Sequence, residues 1–477
     1  MTATDDSADE QKRLVLTAHP LQRVGAFALA ALAGDSPPEN VTPAEFDAAL
    51  ECVTGDAVRA ALVRDSKGPA GFWLKVSYSF FPNSPMNHPS NSKRTDPEIT
   101  EAIRQWRALP GRPSWPPVDC VLCSRQAVGF FGKRDVPLAE SESYRNSTPR
   151  GHHGMALCQP CLQSFYALPY GVRLTGGSSI ALHSWDDDFL QHAVSEQVDH
   201  NRMIAATGDA GARQGDAREV VALVALRTHR RPVGAAVDLL VFNNNNRGQL
   251  LDTYSLDQPL AEWLRRTQRL GGLRTGFAEL VRAHAGQSTP GLVSLARNAF
   301  RTPARIVTAG HIRLLRCLTR AEQDRSRAEA LATLLGSFAT EVMLMTEKDL
   351  AEIARNARNV AALLYGATSA GNLRSFRAMF RETGKLRRWL TASGVQWAVK
   401  PPEGGVGPLV TERCFELLFD PAMDNPAWFH RDMFLVGVLQ ELNTLGWKPE
   451  KPGEDTDEDF DPLDIDSVKF APEEDAQ

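Results

Sequence analysis

The chain has 477 residues, with 53 Lys and Arg against 58 Asp and Glu, a formal charge of -5, 43% hydrophobic residues and seven cysteines. At roughly 100–200 residues per domain this length makes two to four domains, which excludes a disulfide-stapled miniprotein. No apolar run approaches the roughly 18–20 residues needed to cross a bilayer, and the opening MTATDDSADEQKR is acidic where a signal peptide is basic and then apolar. We therefore expect a soluble cytoplasmic protein without a membrane partner, and the odd cysteine count fits a reducing compartment.

After the loose start, Leu14 to Leu32 opens with a short apolar run, breaks at His19-Pro20 and continues as VGAFALAALAG, a strand or turn and then a buried helix stopped by Gly34. A helix follows at 43 to 63, with Thr42 as its cap and Pro43 in its first turn. Phe72, Leu74, Val76, Tyr78 and Phe80 alternate with Trp73, Lys75, Ser77 and Ser79, which predicts a strand. The segment PNSPMNHPSNSKR at 82 to 94 reads as a loop, and Asp96-Pro97 begins a helix that reaches about Leu109.

The cysteine region occupies 120 to 161. A helix is predicted near 187 to 206, opened by the carboxylates of Asp186, Asp187 and Asp188, followed by strands at Glu219 to Leu226 and Ala235 to Phe242 joined by the basic turn RTHRRPVG. Beyond 258 strand patterns fade. Helices are predicted near 259 to 270, 275 to 285, 303 to 318, 320 to 338, 346 to 365, 371 to 391 and 426 to 443, with Thr346 and Asn425-Pro426 as starts.

The predicted fold is α+β, with a mixed α/β N-terminal part, an embedded four-cysteine zinc finger and an all-α C-terminal bundle. Its divisions are 1–119, the zinc module 120–161, a mixed α/β continuation at 162–257, the bundle 258–447 and an acidic disordered tail 448–477.

Cys120-x-x-Cys123 and Cys158-x-x-Cys161 each present two thiolates from a tight turn, and together they complete a closed four-thiolate shell for structural Zn2+. Four unrelated buried cysteines would require two such pairs by chance among seven. A closed shell has no open position for substrate, so this site is not evidence for catalysis. His152 and His153 could replace a ligand or contact phosphate, or simply face solvent from a loop. Cys52, Cys317 and Cys414 lie singly in helical patterns and read as core residues.

Charge is unevenly distributed. Twelve acids and two lysines lie from Glu450 onward and four acids lie in the first ten residues, leaving the body from 11 to 449 at about +9, nearly all of it arginine. Between Arg265 and Arg316 there are ten arginines and one acid, Glu279. Arg374, Arg377, Arg381, Lys385 and Arg388 recur at the spacing of one face of a single helix. Such a stripe suits a phosphate backbone, or acids elsewhere in the bundle, and carries no sequence information.

Base reading needs short polar side chains or arginine on a loop. Two segments offer them: Asn83, Ser84, Asn87, Asn91, Lys93 and Arg94, and the Asn243 to Gln249 run with Asn244, Asn245, Asn246, Arg247 and Gln249. Arg230 and Arg231 add charge in the basic turn. Asparagine clusters are also ordinary turn formers. No GxxxxGK[ST], no GxGxxG after a strand, no HExxH and no His-Asp doublet occurs, so no catalytic constellation is evident.

These residues together resemble a family. The opening LVLTAHPLQRVGAFALAAL resembles the Thr-x-x-Pro and apolar helix of the large subunit of type I CRISPR Cascade, in its type I-B associated branch, although Arg23 stands where many members have an acid. The double CxxC, the following ALPYGVRLTGG, the stretch 184 to 202 ending near Asn201, the strand running into an Asn-rich turn and the helical C-terminal third occur in the same order.

The resemblance implies a noncatalytic subunit that binds guide RNA, checks the short duplex motif beside the target in double-stranded DNA, helps open the duplex and recruits a nuclease-helicase. It also implies Cascade backbone and small subunits as partners, and a bundle that resembles the small subunit and can be made separately from Met343, Met345 or Met379. Two other classes compete. An HNH-type nuclease needs a metal-binding His and a base between the cysteine pairs, and 124 to 151 contain no histidine. A zinc-stabilised protein scaffold would pair its arginines with acidic partners.

Overall fold

The computed structural model describes residues 11–63, 71–139, 154–175, 178–207, 217–245, 248–319, 325–366, 369–400, 407–422 and 426–450. The chain divides into two units, Met1–Gln258 and Pro259–Gln477, within a residue of the position where strand patterns fade. The α+β class is as expected: small sheets and a four-cysteine cluster lie in the first unit, and the second is helical among its described residues.

The first unit is built around α1 (Pro20–Ala33), whose first turn is capped by the His19 ring accepting from Gln22 N and whose end is Gly34 at φ 132. Ten of its residues are buried in succession, so it is a central helix. Helix α2 (Pro43–Leu62) starts in a Thr42–Glu45 capping box, and α4 (Asp96–Arg107) in a Thr95–Glu98 box.

Between them, Phe72–Phe80 forms helix α3, not the predicted strand. Over nine residues the alternating set also contains Phe72, Val76 and Phe80 at helical spacing, and the buried residues Leu74, Ser77 and Phe80 follow a three-residue step. Period 2 and period 3.6 coincide over so short a segment.

Two strands, β1 (Gly129–Phe131) and β2 (Met155–Leu157), pair antiparallel and lead into α5 (Gln159–Ala167). Helix α1 crosses α5 with backbone in contact: a side chain at Gly25 would strike the Ser164 carbonyl. A four-stranded antiparallel sheet follows in the order β3 (Arg173–Thr175), β4 (Ser178–Ser184), β5 (Val237–Asn245) and β6 (Gly248–Leu256). Between β4 and β5 run α6 (Asp187–Thr207) and α7 (Arg218–Thr228).

Helix α7 replaces the predicted strand at Glu219 to Leu226; its buried Glu219, Ala222, Leu223 and Leu226 follow helical spacing despite the β-branched Val220 and Val221. The basic segment after it therefore joins a helix to a strand. Strand β5 continues through Asn243, Asn244 and Asn245, which pair with Leu250, Gln249 and Gly248 of β6, so these asparagines belong to the hairpin's arms.

In the second unit, α8 (Gln258–Arg269), α9 (Gly271–Ala283), α10 (Gly291–Arg301), α11 (Arg305–Thr319), α12 (Arg325–Glu341) and α13 (Glu347–Tyr365) are followed by α14 (Ala370–Met379), α15 (Thr383–Val399), α16 (Glu412–Phe419) and α17 (Ala427–Thr444). Helix α17 buries nearly its whole circumference against α11, α12 and α13 and is the axis of this core. Trp263 packs edge-on to Phe338 at 5.1 Å, and its indole N–H donates to Ser337 Oγ at 2.9 Å. Thr346 caps α13 as predicted.

The helix predicted over 371 to 391 is two. Glu382 is extended at φ -121, and Thr383-Gly384 is a weak helical start. Phe380 in this break stacks on Phe434 of α17. The tail 451–477 lies outside the described residues.

A candidate metal centre and the placement of the basic residues

Cys120 to Cys123 form a tight turn in which Ser124 N donates to Cys120 O at 2.9 Å and Cys120 N to Arg125 O at 2.6 Å, with Ser124 in the left-handed region at φ 62. Val121 N donates to Ala156 O at 3.0 Å, fastening this turn to β2. Cys158 stands at the N-cap of α5 and Cys161 in its first turn, where the helix end favours thiolates. The β1–β2 hairpin thus brings together two pairs that are far apart in sequence. Its return requires glycine: at Gly154, φ 101, a side chain would meet the Phe131 carbonyl.

The four sulfur atoms lie within 4.8 Å of one another, and Cys123 Sγ is 3.4 Å from Cys158 Sγ. A tetrahedral ion with bonds of about 2.3 Å sets its sulfurs about 3.8 Å apart, so the group fits a four-thiolate dication and none of the four is in a disulfide. Without positive charge one thiolate suppresses the next. Cys120 is held far below the ordinary thiol range by hydrogen bonds from the other three, while Cys158 and Cys161 are pushed far up by donating to their neighbours and by burial. A bound dication removes that conflict, because every sulfur then bonds the ion.

Cys120, Cys158 and Cys161 share one hydrophobic core with α1, α2 and α4, so the centre braces the whole first unit. Of the other cysteines, Cys414 is buried and Cys317 half-buried, but Cys52 is exposed, contrary to expectation, because it sits on the outer side of α2. His152 and His153 lie outside the described residues.

The polar loop residues divide. Asn83, Lys93 and Arg94 are exposed. Asn87 accepts from Ser77 Oγ at 2.7 Å and donates to Phe81 O at 2.9 Å, Asn91 donates to Pro85 O at 2.8 Å, and Ser84 is buried. These three turn inward and hold the loop on the core. Asn244 is fully buried, donates to Phe80 O at 2.8 Å and accepts from Gln249 Nε2 at 2.9 Å; Gln249 also reaches Ala139 O. Asn245 pairs through its backbone with Gly248, and Asn246 and Arg247 lie outside the described residues.

Arg230 and Arg231 are exposed, and Arg231 pairs with Asp188 at 2.6 Å. The carboxylates before α6 have separate roles. Asp186 caps Phe189 N at 3.0 Å and accepts from Gly234 N, while Asp187 pairs with the buried Arg23, whose guanidinium lies 4.8 Å over Trp185. Asn201 donates to the carbonyls of Pro169, Tyr170 and Val172, stapling the ALPYGV segment to α6.

In the second unit arginines of that stretch meet carboxylates. Arg265 pairs with Glu262, Arg266 with Glu341, and both Arg282 and Arg313 with Glu279, which is 0% exposed and faces Arg327 at 3.8 Å as well. The one acid in that stretch is thus an internal hub.

The predicted five-residue stripe is divided by the break between helices: Arg374 and Arg377 lie on α14, Arg381 in the turn, and Lys385 and Arg388 on α15. Lys385 pairs with Glu382 at 2.6 Å, and Arg388 donates to Gly384 O. Arg377 is pushed down to about 10, first by burial and then by Arg381 and by Arg316 of α11, so three cations from two helices and a turn converge. Beside them His311 is pushed down to about 3 by burial and by the same Arg377 and Arg381, and Asp432 is raised by burial to about 6. Sequence spacing missed this convergence, because Arg316 is distant in the chain.

No family model, curated protein or solved structure matches the chain. Among the described residues no helix is long and apolar enough to cross a membrane.

Proposed function

We propose that this chain is the noncatalytic large subunit of an RNA-guided type I CRISPR surveillance complex in the cytoplasm, with a structural zinc ion on Cys120, Cys123, Cys158 and Cys161. Its partners are guide RNA, target double-stranded DNA, the backbone and small subunits of the complex and a nuclease-helicase. Zinc is the ion of choice for four thiolates in a closed shell, which stabilises fold and supplies no water-activating position. The observation that supports the nucleic-acid reading is the grouping of Arg316, Arg377 and Arg381 around the one carboxylate of Asp432, a local excess of positive charge that suits a phosphate backbone.

The exposed Asn83, Lys93 and Arg94 are the base-contact assignments that this reading retains, together with Asn246 and Arg247, which lie outside the described residues. The inward-facing Ser84, Asn87, Asn91 and Asn244 serve to shape those loops.

The test is co-purification of the tagged protein from its native operon, with sequencing of bound RNA and mass analysis of partners. Repeat-derived RNA of uniform 5′ end together with backbone subunits supports the proposal, and the R377A/R381A pair then lowers DNA affinity with a salt slope shallower by about 2. An RNA-free monomer overturns it, with metal-dependent cutting by that monomer pointing to an HNH-type nuclease and inert behaviour to a protein scaffold.

A further inference from the structure

A cavity of about 30 Å³ lies in the core of the first unit, between α2, α3 and the segment after α5. Its polar lining is Asp56, Ser77, Arg107, Tyr166 and Tyr170, with Trp73 on the apolar side. Arg107 ends α4 and is 8% exposed. Its guanidinium lies 3.6 Å over the Tyr166 ring, 4.1 Å over Trp106 and 5.4 Å over Phe81. These ring faces screen the charge from above, but they supply no acceptor in the plane of the N–H groups.

The hydroxyl donors lining the cavity are committed. Tyr166 donates to Asp135 at 2.9 Å, Tyr170 to Asp56 at 2.7 Å and Ser77 to Leu74 O at 2.7 Å. Asp135 also accepts from Trp106 Nε1 at 2.6 Å, and Asp56 pairs with Arg59. Arg107 Nε and Nη1 are left buried with no acceptor. Burial pushes Arg107 down to about 10, so it remains a cation at neutral pH. Buried charged donors without partners are costly, and an ionised acceptor offsets that cost better than a neutral one.

We propose that this cavity binds a small monovalent anion, of halide or formate size, on the unpartnered N–H groups of Arg107. The volume holds a few water-sized groups and excludes a nucleotide or coenzyme. A cation is repelled by the guanidinium; the one carboxylate on the lining, Asp56, is already paired with Arg59 and accepts from the Tyr170 hydroxyl, and a single negative charge matches a single guanidinium. The site stands independently of the nucleic-acid reading.

The full-length protein is melted in sodium chloride, bromide and formate against gluconate at one ionic strength, and crystals grown in bromide are measured for anomalous scattering. Small anions raise the melting temperature saturably by about 2–4 °C over gluconate, a bromide peak stands against Arg107, and Arg107→Met abolishes both. Arg107→Lys, which keeps the charge with fewer directed donors, retains a weaker response. Equal melting in all four salts with no bromide peak means that water alone fills the cavity and overturns the proposal. Should Arg107→Met fail to fold, the wild-type salt series and the bromide peak decide by themselves.

Discussion

The two units illustrate two uses of polar residues. In the first, short amides that look like exposed recognition residues are internal fasteners: Asn87, Asn91, Asn201 and Asn244 each satisfy backbone carbonyls of a neighbouring segment. In the second, long cations that look like a solvated stripe are partly drawn inward, around the buried Glu279 and around His311 and Asp432. A short side chain can end its hydrogen bonds within a loop, whereas a long one must find its partner across helices. The first unit is therefore held by ties between distant segments, and the second by helix faces with charge hubs between them.

The strongest break of this contrast is at the thiolates. Cys158→Ser, or a strong chelator, is expected to unfold the first unit, with a melting drop of more than about 10 °C and metal content falling from one ion per chain to none by elemental analysis. The second unit's transition remains in place in the same calorimetric scan. A purely structural cysteine cluster without an ion would show no chelator effect.

Gly25→Ala tests the closest tie in the first unit without touching a sulfur. The added methyl meets the Ser164 carbonyl, so α1 must lift from α5, at about 3 kcal/mol by denaturant titration. Glu279→Gln is the counterpart in the second unit. It leaves Arg282 and Arg313 with a neutral partner, and the expected loss is about 3 kcal/mol, with metal content unchanged. A similar loss in Glu279→Gln and in the double variant with Arg313→Met would show that the pair acts as one unit.

Acid sharpens the comparison with the smallest effect. His284 and His311 are pushed down to about 4 and 3 by burial, against 6.5 when exposed. Below pH 6.5 the unfolded chain binds protons that the folded one refuses, so their stabilisation is complete above 6.5 and is lost as pH falls. Asp432, raised to about 6 from 3.8, works oppositely and contributes most below 4.

Among these three groups two histidines outweigh one aspartate, and together they contribute about 1.4 kcal/mol of loss per pH unit between 6 and 4, to which the lowered His19, His200 and His430 add in the same direction. His311→Gln flattens that limb and Asp432→Asn steepens it; identical slopes in all three proteins would sink the assignment.

Much of this was readable in the chain itself. Capping residues such as Thr42 and Thr346 act within one turn, and the CxxC pairs set two sulfurs by local geometry alone, so these helix starts and the four-cysteine cluster followed from sequence. The change of architecture near residue 258 followed from the loss of strand patterns.

The tertiary structure decided what depends on contacts far apart in the chain. Phe72–Phe80 and Arg218–Thr228 became helices because a short apolar segment satisfies either period and its neighbours choose. The break at Glu382, the inward Asn244 and the meeting of Arg316 with Arg377 all depend on packing across elements. Local chemistry determines where a turn, a cap or a ligand pair can form. Only the folded core determines which side of an element is buried, and so which polar groups remain available to a partner.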